Sequence, residues 1–446
     1  MALLPPRERT QQILALGVPI SLGMVSQSLL SLVDVAMVAQ LNDTHALGAV
    51  GVGSFASFLA VSLVLGIAAG VQATVARRLG EDSSANVLIP LNGGLLVAIV
   101  TGLVLTVLFL LATPTIIHMM NDNPAVQRIG QDYLYYRVIS IVLVGINFAY
   151  RGFWNGIGQS MTMLKALLVV HFSNFFFTYC LIFGAFGFPE LGAPGSGLGT
   201  SLSLLVGTLF FTVMTLIKFP KRGFMRLFPE RGAYKKMLSL AIPNSLQQFF
   251  GAVGVSIFIT ILGKISVDAL AVGHAITNIS LFLILPGSGL GLAATTLVSR
   301  ALGGGKVDEA YRWGWEVTQT AFPFLLIMGA PLVLFPEQIL SLFLPTDPAL
   351  IELGRLPLQI TGATACLQAF TLALPQALYG AGSNKQVLWV SLSLQYLISL
   401  PLCWYVGLHL GYGLIGIWLV ALIERFAGIS IYSTMWRRKH WAKNIF

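Results

Sequence analysis

The chain has 446 residues, of which 56% are apolar and 10% are charged, and its formal net charge is +9. Soluble globular proteins carry about 25% charged residues, so this chain cannot cover a surface that faces water. Its mean hydropathy of +0.82 excludes a soluble enzyme, a nucleic-acid-binding domain and a disordered scaffold. The composition predicts a polytopic membrane protein whose main partner is the lipid bilayer.

Twelve apolar segments reach the roughly 20 residues that a membrane-spanning helix requires. A β-barrel strand needs only about 10 alternating residues, so we predict that the segments are helices. The first segment is too long for a signal-peptide core and lacks a small-residue cleavage site, which predicts an uncleaved span. The predicted spans are 13–39, 46–72, 87–113, 126–150, 160–184, 194–217, 237–262, 268–298, 312–335, 351–379, 385–407 and 412–436.

The basic residues of the loops predict the orientation. With twelve spans, both termini lie on the same side of the membrane. Of the Lys and Arg residues, 21 fall at the loops of that side and 3 fall in the opposite loops. Because loops rich in Lys and Arg remain in the cytoplasm, we expect a multi-pass protein of the bacterial inner membrane with both termini cytoplasmic.

The two halves of the chain resemble each other. LALGVPISL, from Leu14, is similar to LSLAIPNSL, from Leu238, and the matched segments are 223 or 224 residues apart throughout. The most basic stretch lies between the halves. We therefore predict an N-terminal lobe of six spans at 1–217, a basic cytoplasmic linker at 218–236 and a C-terminal lobe of six spans at 237–446.

Matched segments lie on the same side of the membrane because each half holds an even number of spans. The repeat is therefore parallel, with its axis along the membrane normal. Folds of this kind place a substrate path between two lobes and alternate its access by moving one lobe against the other. The organisation favours a transporter, although a duplication retained only for packing would leave the same pattern.

Several motifs resemble those of the multidrug and toxic compound extrusion (MATE) family. They are VPISLGMVSQSLLSLVDVAMVAQL in span 1, ALGAVGVG and GVQATVARRLGE at the two ends of span 2, RGFWNGIGQSM after span 4 and ALYGAGSNKQ after span 10. With the repeat and the basic linker, the resemblance extends over nearly the whole chain. It implies an all-α fold with twelve transmembrane helices in two pseudo-symmetric six-helix bundles.

The resemblance also implies a secondary-active exporter that is driven by a proton or sodium gradient and expels amphipathic organic cations. Within the family, the chain is more similar to the DinF-like branch, which keeps its ion site in the N-terminal lobe. The NorM-like branch carries acidic residues in spans 7 and 10, whereas these two spans have no interior carboxylate here. We expect a monomer that requires no cofactor.

Asp34 is the most informative polar residue. It precedes Asn42, the predicted outer end of span 1, by eight residues, which places it about 12 Å deep. Carboxylates inside the membrane are costly, and they usually face an interior cavity and serve function. We predict that Asp34 carries the coupling proton, with Gln27 and Ser31 as a supporting polar stripe on the same helix face. The alternative is a structural Asp bonded to a neighbouring helix.

Spans 5 and 6 supply further polar groups at a similar depth, namely Asn174, Thr178 and Thr200. In DinF-like members, the Asp of span 1 acts with an Asn and an Asp of span 5 and a Thr of span 6. Asp34, Asn174 and Thr200 match those positions, but Thr178 stands where the family usually has Asp. Ordinary interhelical hydrogen bonding, worth about 0.6 kcal/mol per bond, is the competing interpretation of these groups.

A lone carboxylate suits a proton better than a hard cation, which binds through several oxygen ligands. We therefore predict proton coupling, with sodium coupling as the alternative.

Four other residues have two interpretations each. His171 shares the polar face of span 5 and is either a proton relay or, more simply, a buried histidine bonded to a neighbouring helix. Glu424 is the second-choice coupling acid, although an ion pair of Glu424 or Arg425 with another helix is the simpler interpretation. Pro19 frees a backbone carbonyl in span 1 and predicts either a moving hinge or a fixed kink.

Two other functions remain open. A lipid-linked oligosaccharide flippase of the wider superfamily would favour additional spans and a cationic central cavity. A membrane-embedded enzyme would need a nucleophile or paired acids, but the sequence holds no H-E-x-x-H, G-x-S-x-G, Asp-rich or P-loop motif. The three cysteines have neither C-x-x-C spacing nor clustered His, so we expect no metal site.

Overall fold

The computed structural model describes residues 5–82, 86–220, 223–344 and 347–443. These residues are almost entirely helical, and none of them lies in a β-strand. The helices are α1 (Arg7–Ala39), α2 (Thr44–Glu81), α3 (Leu88–Met120), α4 (Pro124–Ile139), α5 (Ile141–Gly156), α6 (Ser160–Phe183), α7 (Ala193–Lys218), α8 (Arg231–Ile265), α9 (Val267–Gly303), α10 (Val307–Leu334), α11 (Pro336–Ser341), α12 (Pro348–Ala363), α13 (Gln368–Gly380), α14 (Asn384–Leu392), α15 (Leu400–Trp404) and α16 (Gly413–Arg437).

The predicted fold class is confirmed. Ten helical segments in the described part of the chain are long and apolar enough to cross a membrane, and α4 with α5 forms an eleventh span that is bent by 44°. Two helices joined by a short 3-10 turn, α12 and α13, cover the predicted tenth span. The chain is therefore an all-α polytopic membrane protein whose helices cover all twelve predicted segments.

Two predicted spans break at a hydroxyl residue. Ser140, between α4 and α5, donates from Oγ to the carbonyl oxygen of Arg137 at 2.7 Å. Thr364, between α12 and α13, donates from Oγ1 to the carbonyl oxygen of Ile360 at 2.7 Å. Side-chain donors of this kind compete with the backbone amides and bend helices.

The predicted eleventh span also departs from a regular helix. It consists of α14, a π-helical segment at Ser393–Ser399, α15 and a second π-helical segment at Tyr405–His409. Segments of π-helix are rare and often occur at functional sites.

The chain forms two compact units. Unit 1 comprises Met1–Ser21 and Gln247–Phe446, and unit 2 comprises Leu22–Leu246. The predicted lobes, 1–217 and 237–446, have different bounds, because the start of α1 groups with the C-terminal half and the start of α8 with the N-terminal half. The predicted linker, 218–236, overlaps α8 from Arg231, and its residues 221 and 222 lie outside the described residues.

Unit 1 contains the first part of α1. Ile13 is fully buried in an apolar cluster that includes Trp313 of α10. Arg9 places its Nε 2.6 Å from Oε2 of Glu316 and its Cζ 3.8 Å from the centroid of the Trp313 ring. These contacts fix the start of α1 to α10.

Unit 2 contains the first part of α8, which packs closely against α2. The backbone amide of Gly66 donates to Oγ of Ser245 at 3.0 Å. A Cβ added to Gly70 would lie 2.9 Å from the carbonyl oxygen of Met237. Glycine is required here because the two helices approach backbone to backbone.

Candidate functional site

In unit 2, the close packing of α6 and α7 positions two of the predicted site residues. A Cβ added to Gly199 would lie 2.6 Å from Oγ1 of Thr178. At this short separation, Nδ2 of Asn174 donates to Oγ1 of Thr200 at 3.1 Å, and Thr200 donates in turn to the carbonyl oxygen of Ser196 at 2.9 Å. The structure thus joins Asn174 to Thr200, as the resemblance implies.

Among the buried oxygen atoms of unit 2 that have no hydrogen-bond partner among the described residues, three belong to predicted site residues. They are Oδ1 of Asp34, Oδ1 of Asn174 and Oγ1 of Thr178. The side chains of Asn174 and Thr178 are fully buried. Because a buried polar atom without a partner costs about 1–3 kcal/mol, such atoms in a native protein require an explanation. One explanation is that these atoms contact a group that binds and leaves, such as a proton, a water molecule or an ion.

Asp34 makes no hydrogen bond to the predicted partners Asn174, Thr178 and Thr200. Its charged neighbour is Arg137, which is close enough to act electrostatically on the carboxyl group. Arg137 lies at the bend between α4 and α5, and its buried Nε also has no hydrogen-bond partner in the part of the chain that the structure describes. Asp34 therefore lies near a basic group that the resemblance does not indicate.

The predicted polar stripe of α1 contacts a second arginine. Nη2 of Arg151, on α5, donates to Oε1 of Gln27 at 3.0 Å. Ser31 donates to the backbone carbonyl of Gln27 at 3.2 Å and is exposed. Gln27 therefore has a defined partner, whereas Ser31 bonds within its own helix.

His171 lies on α6, one turn before Asn174. Its Nε2 is buried and has no hydrogen-bond partner among the described residues. Arg151 is close enough to act on it electrostatically. Within the described part of the chain, Nε2 bonds no neighbouring helix, and the role of His171 stays a prediction.

Pro19 lies inside α1, which continues through it as a single helix. The division between the two units falls two residues later, after Ser21. On the unit 1 side, Oγ of Ser21 donates to the carbonyl oxygen of Pro286 at 2.8 Å. On the unit 2 side, a Cβ added to Gly23 would lie 2.6 Å from a methyl carbon of Leu167. Pro19 thus lies where α1 passes from one unit to the other.

The MatE family model matches the chain twice, at residues 19–180 and 240–405. The two matches cover most of the chain, one in each half. The chain belongs to the MatE family. This membership makes it a multi-pass membrane transporter rather than an enzyme, and the repeated match agrees with the internal repeat. Assignment to the DinF-like branch stays a prediction.

Relatives of this MatE chain resemble it along their whole length. The probable multidrug resistance protein NorM of Thermotoga maritima is 26% identical over 436 residues, which cover 96% of this chain and 91% of the relative. A crystal structure of a MATE in the bent conformation has a TM-score of 0.87 at 21% identity, covering 97% of this chain and 95% of that one. A MATE in the straight conformation gives 0.86 at 21% identity, covering 97% and 96%. At this identity, the structures show a common fold.

Unit 1 of this MatE chain holds the second-choice acid. Glu424, on α16, accepts a hydrogen bond from Ser399 of the first π-helical segment. Arg425 donates from Nη1 to the carbonyl oxygen of Thr364 at 3.1 Å and also bonds the Thr364 hydroxyl. Arg425 therefore caps the broken helix between α12 and α13 instead of pairing with a carboxylate of another helix.

Sequence reasoning did not assign Arg137 or Arg151 to the candidate site. The signal was present for Arg137, since it is a basic residue far from both ends of a predicted span. The position of Arg151 depends on the packing of α5 against α1, which the sequence pattern does not reveal.

Proposed function

We propose that this MatE transporter is a proton-coupled multidrug exporter that works by alternating access, with amphipathic organic cations as substrates. The name of the Thermotoga maritima relative, a probable multidrug resistance protein, supports the substrate class. The parallel repeat and the two compact units support alternating access.

One observation carries the proposal. The carboxyl group of Asp34 lies in a transmembrane helix, and among the described residues its buried Oδ1 has no hydrogen-bond partner and its charged neighbour is Arg137. A purely structural carboxylate in a membrane would be fully hydrogen-bonded, because an unsatisfied one is costly. An acid that must gain and lose a proton benefits from having no permanent partner.

The proposed cycle has three steps. Ionised Asp34 attracts an amphipathic cation from the cytoplasmic side. The two units then change access, with α1 bending at Pro19. A proton from the outside neutralises Asp34, which releases the substrate and frees Arg137 from its counter-charge. In this cycle, Asn174, Thr178 and Thr200 are proposed to contribute oxygen atoms to the same coupling site.

We favour a proton over sodium because the site has one carboxylate. Among the described residues, no group of three or more His, Cys, Asp or Glu side chains could hold a metal ion. Hydroxyl and amide oxygens alone bind a hard cation weakly. We propose that the ion gradient supplies the energy for transport and that no cofactor is required.

The basic loops support insertion in the bacterial inner membrane with both termini in the cytoplasm. A second candidate function, a flippase of lipid-linked anionic sugars, is favoured by one observation. Arg137 and Arg151 both lie in the bent transmembrane pair α4 and α5 of unit 2, and a cationic interior suits an anionic lipid carrier.

The proposal is tested in proteoliposomes by efflux of the ethyl ester of rhodamine B, a permanent cation. We expect an imposed proton gradient to drive transport, and a sodium gradient at equal pH on both sides to drive none. Efflux that follows only the sodium gradient would show that sodium, not a proton, is the coupling ion. If neither gradient drives efflux and the protein flips anionic lipid instead, the flippase function is supported and the exporter function is rejected.

A further inference from the structure

A cavity of about 140 Å³ lies in unit 1, beside the C-terminal 3-10 turn at His440–Lys443. We call it the C-terminal cavity. An apolar cavity of about 150 Å³ can hold a benzene molecule, so the C-terminal cavity has room for a phosphate group. One side of it is apolar and includes Leu378 and the buried ring of Trp441. The polar residues that line it are Gln386, Thr434, Arg438 and His440.

The four polar residues of the cavity are exposed, and their side chains bond no other described residue. The cations on either side of Arg438 are engaged. The Cζ atom of Arg437 lies 5.5 Å from the centroid of the Trp315 ring, and Nζ of Lys439 lies 2.7 Å from Oδ1 of Asp308. Arg438 therefore keeps its guanidinium donors available at the cavity.

The shape of the cavity is fixed by the aromatic residues around it. The chain turns back after α16 at Lys439, whose φ of 53° is left-handed. The Trp441 ring then stacks on the Trp436 ring with centroids 4.2 Å apart, and its Nε1 donates to the Trp436 carbonyl oxygen at 2.9 Å. Trp436 in turn donates to the carbonyl oxygen of Tyr311 at 3.2 Å. A site that is rigid before its ligand arrives loses less freedom on binding.

The cavity lies at the level of lipid headgroups. The 25 residues of α16 span about 37 Å, which exceeds a hydrocarbon layer about 30 Å thick, and Arg438 follows directly after this helix. Trp389, three residues after Gln386 on the same face of α14, is 68% exposed. Exposed tryptophans are typical of the membrane–water interface. Under the proposed orientation, this interface is the cytoplasmic one.

We propose that the C-terminal cavity binds the phosphate headgroup of an anionic phospholipid in the cytoplasmic leaflet. The planar N–H groups of Arg438 match two phosphate oxygens, and basic pockets on this side of a membrane suit anionic headgroups. Gln386, Thr434 and His440 each supply a further donor. The apolar side, with Trp441, contacts the glycerol and the first acyl carbons. This inference goes beyond the proposed function, since it depends neither on the substrate nor on the coupling ion.

The test is native mass spectrometry of the full chain, titrated in detergent with phosphatidylglycerol or phosphatidylcholine. We expect the first phosphatidylglycerol to bind more tightly, because the choline cation of the other lipid offsets its phosphate charge. Arg438→Gln should weaken phosphatidylglycerol binding at least about tenfold, as for a lost charge-assisted hydrogen bond. The matched control is Lys385→Gln, at an exposed cation next to Gln386 that does not line the cavity. It should change binding less than about twofold.

Equal losses for the two variants would show a diffuse attraction between a basic surface and an anionic lipid, and would overturn the site. Equal affinity of the unmodified protein for the two lipids would overturn it as well. If Arg438→Gln does not fold, Gln386→Leu takes its place and should weaken phosphatidylglycerol binding at least about threefold, as for a lost neutral hydrogen bond. Unchanged binding by that variant would contradict the proposal.

A wash with inorganic phosphate separates a lipid headgroup from a soluble phosphate. The protein loaded with phosphatidylglycerol is treated with inorganic phosphate in large excess and transferred to volatile buffer before the measurement. We expect the lipid to remain bound, because the apolar side of the cavity holds only the lipid. Displacement would assign the cavity to a soluble phosphate and overturn the assignment to a phospholipid.

Discussion

Both units of this MatE transporter place an acid and an arginine inside the membrane, but the two sets of side chains differ in how fully they are hydrogen-bonded. In unit 1, Glu424 is bonded to Ser399, and Arg425 caps a broken helix at Thr364. In the described part of unit 2, the buried Oδ1 of Asp34 has no hydrogen-bond partner, and nearby Arg137 has a buried Nε that is also without one. A satisfied polar network stabilises a fold, whereas an unsatisfied one indicates a site that binds something.

The largest effect on transport should come from replacing Asp34, with the matched change at Glu424 as its comparison. Asp34→Asn keeps the size of the side chain but cannot release a proton, so we expect proton-driven efflux to fall to the level of protein-free liposomes. Glu424→Gln can still bond Ser399, and it should retain at least half of the efflux, roughly. The reverse pattern, with Glu424→Gln inactive and Asp34→Asn active, would move the coupling site to unit 1.

Replacement of Arg425 should lower the stability of the folded protein. Replacement by Met leaves the Thr364 carbonyl at the break without its charged donor. We expect a loss of about 1.5–3 kcal/mol in the free energy of unfolding, measured by denaturant titration in detergent. Arg128→Met, on an exposed surface, should stay within about 0.5 kcal/mol. Comparable values for the two variants would mean that Arg425 does not cap the break.

The packing of α6 and α7 provides the next test. Gly199→Ala would bring a methyl group against Thr178 and force the helices apart, which should cost about 1–3 kcal/mol. The control is Gly51→Ala in α2, where an added Cβ meets nothing within 4 Å. That change should stabilise the helix by about 0.5–1 kcal/mol. A neutral Gly199→Ala would show that the close approach is unnecessary.

The smallest effect is expected for Thr178→Val. Oγ1 of Thr178 is buried without a partner, so replacing the hydroxyl with a methyl group should change the free energy of unfolding by less than about 0.5 kcal/mol. Proton-driven efflux should nevertheless slow, because an oxygen atom of the site is lost. A clear destabilisation with unchanged efflux would support interhelical hydrogen bonding as the role of Thr178.

Much of the fold could be predicted from the sequence because membrane spans depend on long apolar runs. The positions of all twelve segments follow from this property alone. The bends could not be predicted, because Ser140 and Thr364 break helices through hydrogen bonds to the preceding turn. Many other hydroxyl residues here, such as Thr113 in α3, make similar bonds inside continuous helices.

Part of the candidate site could be predicted from the sequence. Asp34, Asn174 and Thr200 stand out as polar residues at one depth, and the resemblance groups them. Spacing along a helix gives a depth and a face but not the distance between helices. The hydrogen bond from Asn174 to Thr200 and the position of Arg151 beside Gln27 depend on that distance, so only the structure supplies them.

The exchange of helix segments between the units bears on how such a chain could have arisen. The core of unit 1 includes Ile13 and the ion pair of Arg9, and unit 2 includes Met237 and Ser245. A six-span ancestor, before gene duplication, would have lacked the corresponding segment unless a second copy lent its own first helix. The fusion of two genes would then have made permanent a homodimer with swapped helices, and today's single polypeptide still carries that reciprocal exchange.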